Sequence, residues 1–249
     1  MVDVLLALMI IASFLLAMVL HEYAHAQVAV WLGDRVPRDE GRLSLSLRQH
    51  LDPVGLLMCI VLAFSYTFPN IASSAVGFGW GKPVKADPWK MRVGANTGLL
   101  IVAVAGPLFN LIIGLLVALL IHFIEPYLIG NVYTIYLLRL LVVFASVNIC
   151  LILFNILPLY PLDGYQVVYT LLPSKQAIQF SKSAPYGPLI ILFVFFFLPF
   201  LASIAHVESL PIFQLAHYIQ LGSLYIISLV VGGPSALNTL LAVYVYNIR

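Results

Sequence analysis

Apolar residues in this chain come in long runs separated by short polar stretches. A helix that crosses a bilayer needs about 20 consecutive, mostly apolar residues. Four runs approach or exceed that length: residues 4–31, 97–124, 132–157 and 187–205. A last apolar region, 211–248, is interrupted by Gly232-Gly233-Pro234 and reads as one span plus a surface helix, or as a broken helix. Residues 53–72 are apolar too, but Pro69 ends that run, and Gly77, Gly79 and Gly81 follow. The pattern predicts an all-α polytopic membrane protein with about six transmembrane segments.

Basic loops favour the cytoplasmic side of a membrane. The loop after the first run carries Arg35, Arg38, Arg42 and Arg48, which puts the N-terminus outside. Lys82, Lys85, Lys90 and Arg92 hold the far flank of 53–72 on the same side. A single crossing there would break the charge rule, so 53–72 is expected to be a short re-entrant or β-hairpin element near the cytoplasmic face. Residues 97–124 then exit and 132–157 return, and the C-terminal helices of 187–249 bring Arg249 back inside. Ala24-His25-Ala26 resembles a signal cleavage site, but no positive residue precedes the apolar run, which is long for a signal. It is read as a retained first span. No connection is long enough for a separate folded module. Residues 1–249 are therefore expected to form a single membrane-embedded domain, with its chemistry in 4–172.

Composition agrees with this picture. The chain is 62% hydrophobic and only 9% charged, against roughly 25% charged in soluble domains. Lipid must be its main solvent. A net charge of +2 is too small to predict a nucleic-acid partner. Cys59 and Cys150 lie in apolar runs without metal-ligand spacing and read as small buried hydrophobes.

The first run ends in His21-Glu22-Tyr23-Ala24-His25, an H-E-x-x-H pattern. Residues four apart share a helix face, so His21 and His25 can present both imidazoles to one metal ion. Zinc suits two neutral imidazoles, and Glu22 between them can take a proton from a water at the metal. The plain alternative is a chance cluster of polar residues at a helix end. Ionisable groups in a membrane helix cost on the order of 3 kcal/mol each on insertion scales, which argues against chance. A cation that pairs them removes much of that cost. With the N-terminus outside, about 20 residues at 1.5 Å rise put His21 toward the cytoplasmic third of the bilayer.

A catalytic zinc usually takes three protein ligands and keeps one position open. The third is sought in Asn155-Ile156-Leu157-Pro158-Leu159-Tyr160-Pro161-Leu162-Asp163-Gly164. Pro158 and Pro161 have no N–H with which to continue the incoming helix. Asp163 is thus expected on an irregular turn at the depth of the first motif, where Gly164 lets other backbone approach closely. Asp-Gly alone is an ordinary turn signal; the shared depth singles it out. Asp34, Asp39 and Glu40 sit in the basic loop, and Glu125 and Glu208 fall on the outer side. One zinc per chain is expected.

Together these residues resemble the site-2 protease family of intramembrane metalloproteases, whose signatures H-E-x-x-H and N-x-x-P-x-x-P-L-D-G are both matched in full. Gly106-Pro107-Leu108-Phe109-Asn110 resembles the family's G-P-x-x-N. Gly79-Trp80-Gly81-Lys82-Pro83-Val84 and His50-Leu51-Asp52-Pro53-Val54-Gly55 resemble a compact prokaryotic branch that lacks PDZ and CBS modules. The resemblance covers about residues 4–172; the C-terminal third matches only in hydrophobic character. It implies cleavage of transmembrane segments in membrane-protein substrates, as in regulated intramembrane proteolysis, within a prokaryotic cytoplasmic membrane. It also implies zinc held by His21, His25 and Asp163, Glu22 as the general base, and Asn155 as support for substrate or transition state. Asn110 is a second candidate for that supporting role.

Other polar positions have plainer readings. Asn148 and Asn155 lie two turns apart on one helix face, and interhelical packing accounts for Asn148. His50 reads as a satisfied interfacial histidine, and Arg139 as a residue that pairs or snorkels. A protease must hold its substrate extended, and an exposed strand edge does so by backbone pairing. Residues 80–86 are expected to supply such an edge, with Pro83 excluded from a central strand. The competing reading is an interfacial loop anchored by Trp80 and Trp89. A zinc or proton transporter using the same ligands is the alternative function; it would spread ionisable residues over several depths, whereas here they gather at one.

Overall fold

The computed structural model describes residues 4–64, 77–128, 132–207 and 210–245. Helix α1 (Val4–Trp31) runs unbroken for 28 residues, with no proline or glycine to interrupt it. At 1.5 Å per residue it exceeds a hydrocarbon core of about 30 Å. Helix α2 (Pro53–Phe64) starts where Asp52 Oδ1 accepts from the Val54 and Gly55 N–H groups at 2.9 and 3.0 Å, with proline at the first helical position. Helices α3 (Ala95–Leu128), α4 (Val132–Asn155) and α5 (Asp163–Leu171) follow. The helical stretch α6 (Ser174–Ile204) contains a 3₁₀ turn at Ala184–Tyr186 and a π turn at Phe193–Phe197. Helices α7 (Leu215–Val231) and α8 (Leu237–Val245) complete the order.

Among the described residues four helices are long and apolar enough to cross a membrane: α1, most of α3, α4 and α6. The all-α membrane architecture read from the sequence is therefore observed. Among the described residues there is no strand. The 77–87 stretch runs extended and touches residue 51 through one antiparallel bridge, Leu51–Gly81, beside a bond from the Lys82 N–H to the His50 carbonyl at 2.7 Å. The tip of the expected re-entrant or hairpin element, residues 65–76, lies outside the described residues, as do 246–249.

Two details differ from the sequence reading. Helix α4 ends at Asn155, two residues early, and hands over to a tightening turn in which the Leu157 N–H reaches the Phe154 carbonyl. Asp163 does not sit on the irregular turn; it is the first residue of α5. The turn is confined to 156–162, and a carboxylate at a helix start is favoured by the helix dipole.

Helices α1, α3 and α4 pack against one another, and α7 closes over α3 and α4. Fully buried alanines on α1, Ala7, Ala17, Ala26 and Ala29, permit close helix approach. Arg139 is buried on α4 and donates to the Tyr244 carbonyl at 3.2 Å, which ties α8 to the bundle. Phe78, Phe154 and Phe195 form an aromatic knot with ring centroids 4.5 to 5.4 Å apart. That knot fastens the extended stretch to α4 and α6. Phe154→Ala is expected to cost about 3 kcal/mol, read as a lowered unfolding midpoint in detergent micelles.

Candidate metal centre and its cleft

Helical periodicity sets His21 and His25 one turn apart on α1, and α5 delivers Asp163 to them. His21 Nε2 lies 3.0 Å from Asp163 Oδ2, His25 Nε2 lies 3.2 Å from Asp163 Oδ1, and the two Nε2 atoms are 3.1 Å apart. One ligand atom from each of the three residues falls within a 4.8 Å group that could hold a metal ion. Ligands sharing a tetrahedral ion at about 2.0–2.1 Å stand roughly 3.3 Å from each other, close to this spacing. A donor set of two imidazoles and one carboxylate fits zinc.

The surroundings favour a cation as well. His25 Nδ1 donates to the Val102 carbonyl oxygen of α3 at 2.6 Å. A carbonyl can only accept, so the proton is held on Nδ1 and the Nε2 lone pair is turned toward the cluster. Gly106, also on α3, faces the imidazoles. A Cβ there would stand 2.7 Å from His21 Nε2 and closer still to His25 Nε2.

Asp163 is steadied from α4. The Asn155 Nδ2 donates to the Leu151 carbonyl at 2.9 Å, and Asn155 Oδ1 accepts from the Asp163 N–H at 3.4 Å. Gly164 lies against the Ile156 and Leu157 carbonyls, where any side chain would collide with backbone. The Tyr160–Pro161 peptide within the turn is cis.

Glu22 is buried beside the cluster, and its Oε2 has no hydrogen-bond partner among the described residues. Its Oε1 lies against Gly81 of the extended stretch, where a Cβ would approach to 2.5 Å. Glu22, His25 and Asp163 line one cleft of about 380 Å³. Its other walls come from Pro83–Ala86 of the extended stretch, from α3, from the end of the 156–162 turn and from the start of α5.

The structure thus brings His21, Glu22, His25, Asp163 and Asn155 together. Asn110 is fully buried on α3, one turn beyond Gly106, and both of its amide atoms lack a partner among the described residues. Asn148 donates to the Phe144 carbonyl of its own helix at 2.9 Å. His50 is buried and donates to the Ser44 carbonyl at 2.6 Å. Two contributors were not visible in the sequence as site residues: the Val102 carbonyl and Gly81 against Glu22. A backbone acceptor leaves no side-chain signal, and a glycine shows its close approach only in three dimensions.

Comparison with known proteins adds a relative. Over 189 residues, 75% of this chain and 79% of the other, the sequence is 31% identical to a protein of Bacillus subtilis (strain 168) that carries the name "Putative zinc metalloprotease YwhC". No family model matches the chain, and no solved structure matches it. The chain is a membrane protein by its helices, with a three-residue cluster suited to a metal ion. It belongs to the site-2 protease family that its motifs resemble.

Gly106→Ala tests the cradle directly. Alanine favours a helix over glycine, so the helix gains while the ligands lose their room. Bound zinc per chain, measured by atomic emission, is expected to fall several-fold while far-ultraviolet circular dichroism stays at the wild-type level.

Proposed function

We propose that this protein is an intramembrane zinc metalloprotease that hydrolyses peptide bonds in or near transmembrane segments of other membrane proteins, in regulated intramembrane proteolysis. The observation that carries this reading is the convergence of three ligand atoms on one point, with the unpartnered Glu22 carboxylate beside them at the wall of a cleft. A relative named as a zinc metalloprotease supports it.

His21, His25 and Asp163 would hold one zinc ion per chain. When bound, the ion supplies Lewis acidity, which lowers the pKa of a water toward neutrality and draws charge from a scissile carbonyl. Glu22 takes a proton from that water as its oxygen attacks the carbonyl carbon. The same carboxyl then gives the proton to the departing amine nitrogen as the C–N bond breaks. Asn155 keeps Asp163 in register and is the candidate to support substrate or transition state; Asn110 is the second.

The substrate is held extended along the cleft. The backbone groups of Val84, Lys85 and Ala86 make no hydrogen bond among the described residues, so an incoming chain can pair with them. This is the strand-edge reading of 80–86, with the edge completed only by substrate.

Two shorter apolar helices, α2 and α7, bring the membrane-embedded segments to about six. The basic residues on both flanks favour a re-entrant path for 53–72. The basic loops put the N-terminus outside and the site toward the cytoplasm of a prokaryotic membrane. All of 1–249 acts as one protease domain in lipid. A transporter built on the same ligands would move zinc or protons without any need for Glu22 beside an open cleft.

Purified wild type and variants separate these readings. Glu22→Gln is expected to keep wild-type zinc and to lose cleavage of single-pass substrates by at least about a hundredfold. Asp163→Ala is expected to lose zinc. Equal cleavage by Glu22→Gln and wild type would remove the mechanism. Cysteines at Val84 or Lys85 paired with cysteines along a substrate should crosslink in one register; no crosslink at any register counts against the edge.

A further inference from the structure

Arg42 belongs to the basic loop, where an arginine ordinarily reaches solvent. Here it is 2% exposed and among the bulkiest fully buried side chains. Its Nη1 donates to the Gln49 carbonyl and, at 3.0 Å, to the Lys82 carbonyl; its Nη2 donates to the Pro83 carbonyl at 3.2 Å. Glu40 Oε2 stands 3.8 Å from Nε and balances the charge. One planar guanidinium thus joins the 40–50 loop to the start of the cleft-lining stretch. A planar fork of donors holds several carbonyls in a fixed geometry, whereas a lysine's ammonium rotates on a flexible stem.

The same stretch is tied at other points. The Trp80 Nε1 donates to Asp52 Oδ1 at 3.1 Å, and the Lys82 N–H donates to the His50 carbonyl. At the far end the Asp87 N–H donates to Asp34 Oδ2 at 2.7 Å; Asp34 is fully buried, and its Oδ1 accepts from the Val36 N–H at 3.0 Å. Every hydrogen-bonded tether falls on residues 80–83 or 87; residue 85 is tied only through its side chain, whose ammonium lies 3.6 Å from Glu40 Oε1. The three residues between them line the cleft and carry no backbone partner among the described residues. The tethers therefore hold the stretch extended without occupying its edge.

We propose that Arg42 is a positioning residue for substrate: its guanidinium fixes Lys82 and Pro83, so that Val84–Ala86 present backbone groups at a set distance from Glu22 and Asp163. Gly81, next to the clamped pair, already lies against the Glu22 carboxylate, so slack at Lys82 would move the edge relative to the general base. Arg42 touches neither the candidate ligands nor the reacting atoms. Its effect falls on where the substrate chain lies. This inference rests on the proteolytic reading above.

The test compares wild type, Arg42→Gln and Arg42→Lys in micelles, with a single-pass substrate, measuring zinc content, kcat and KM. Arg42→Gln is expected to keep wild-type zinc, to raise KM about tenfold and to change kcat by less than about threefold. Arg42→Lys keeps the charge without the fork and is expected to fall between the two. Crosslinks from a Val84 cysteine to substrate should spread over several registers in Arg42→Gln. Unchanged KM with a single register overturns the assignment. So does loss of zinc and kcat together in both variants, because Arg42 would then serve only the fold. Failure of the proteolytic reading looks different: wild type itself would not cleave, or would cleave no better than Glu22→Gln.

Discussion

Two imidazole nitrogens stand 3.1 Å apart in an apolar bundle, with carboxylate oxygens 3.0 and 3.2 Å from them, a spacing that a shared cation would satisfy. The rest of the local architecture follows from that constraint. A ligand pair can come from one helix only at a one-turn spacing, which α1 supplies at His21 and His25. The third donor must then be brought from far along the chain, and α4, the 156–162 turn and α5 exist in that order to deliver it. Between them α3 must approach closely enough to back the imidazoles, which is possible because residue 106 has no side chain.

Under the proposed reading, the cleft lets a hydrolytic site and a lipid environment coexist. Its inner walls are the apolar α3 and the proline-rich turn, while its outer wall is a non-helical stretch. Backbone that is neither helical nor paired is tolerated at membrane depth only where it lines a polar cavity or is buried in protein. The extended stretch meets both conditions. Its ends are satisfied by side chains and loop carbonyls, and its middle borders the cleft. The aromatic knot of Phe78, Phe154 and Phe195 anchors the inner end, so the stretch is held between packing on one side and hydrogen bonds on the other.

The long helices and the meeting of His21, His25 and Asp163 were legible in the sequence, for related reasons. Apolar run length is a one-dimensional signal, and an H-E-x-x-H pattern carries its geometry in its spacing. Asp163 could be found because Pro158 and Pro161 mark where a helix must stop. What followed the stop was harder to read: Asp163 opens a new helix, since the turn closes by Leu162 and the dipole favours a carboxylate there. Residues 80–86 were assigned strand character, but the stretch makes one bridge, to Leu51, because most of its tethers are side chains rather than a neighbouring strand. Arg42 was misjudged as an ordinary loop cation. Its burial depends on carbonyls at residues 49, 82 and 83 meeting in space, and nothing in local sequence announces that meeting.

The acceptor that orients His25 is the main-chain oxygen of Val102. A main-chain oxygen survives any exchange of the side chain it belongs to, so drift at position 102 leaves the imidazole's tautomer untouched. An insertion or deletion between residues 95 and 106 would do the opposite, rotating α3 by about 100° per residue and swinging both that oxygen and the gap at Gly106 away from α1. The side chain at 102 can thus be exchanged without losing that acceptor, whereas Gly106 and the length of the helix on that side of the site are fixed.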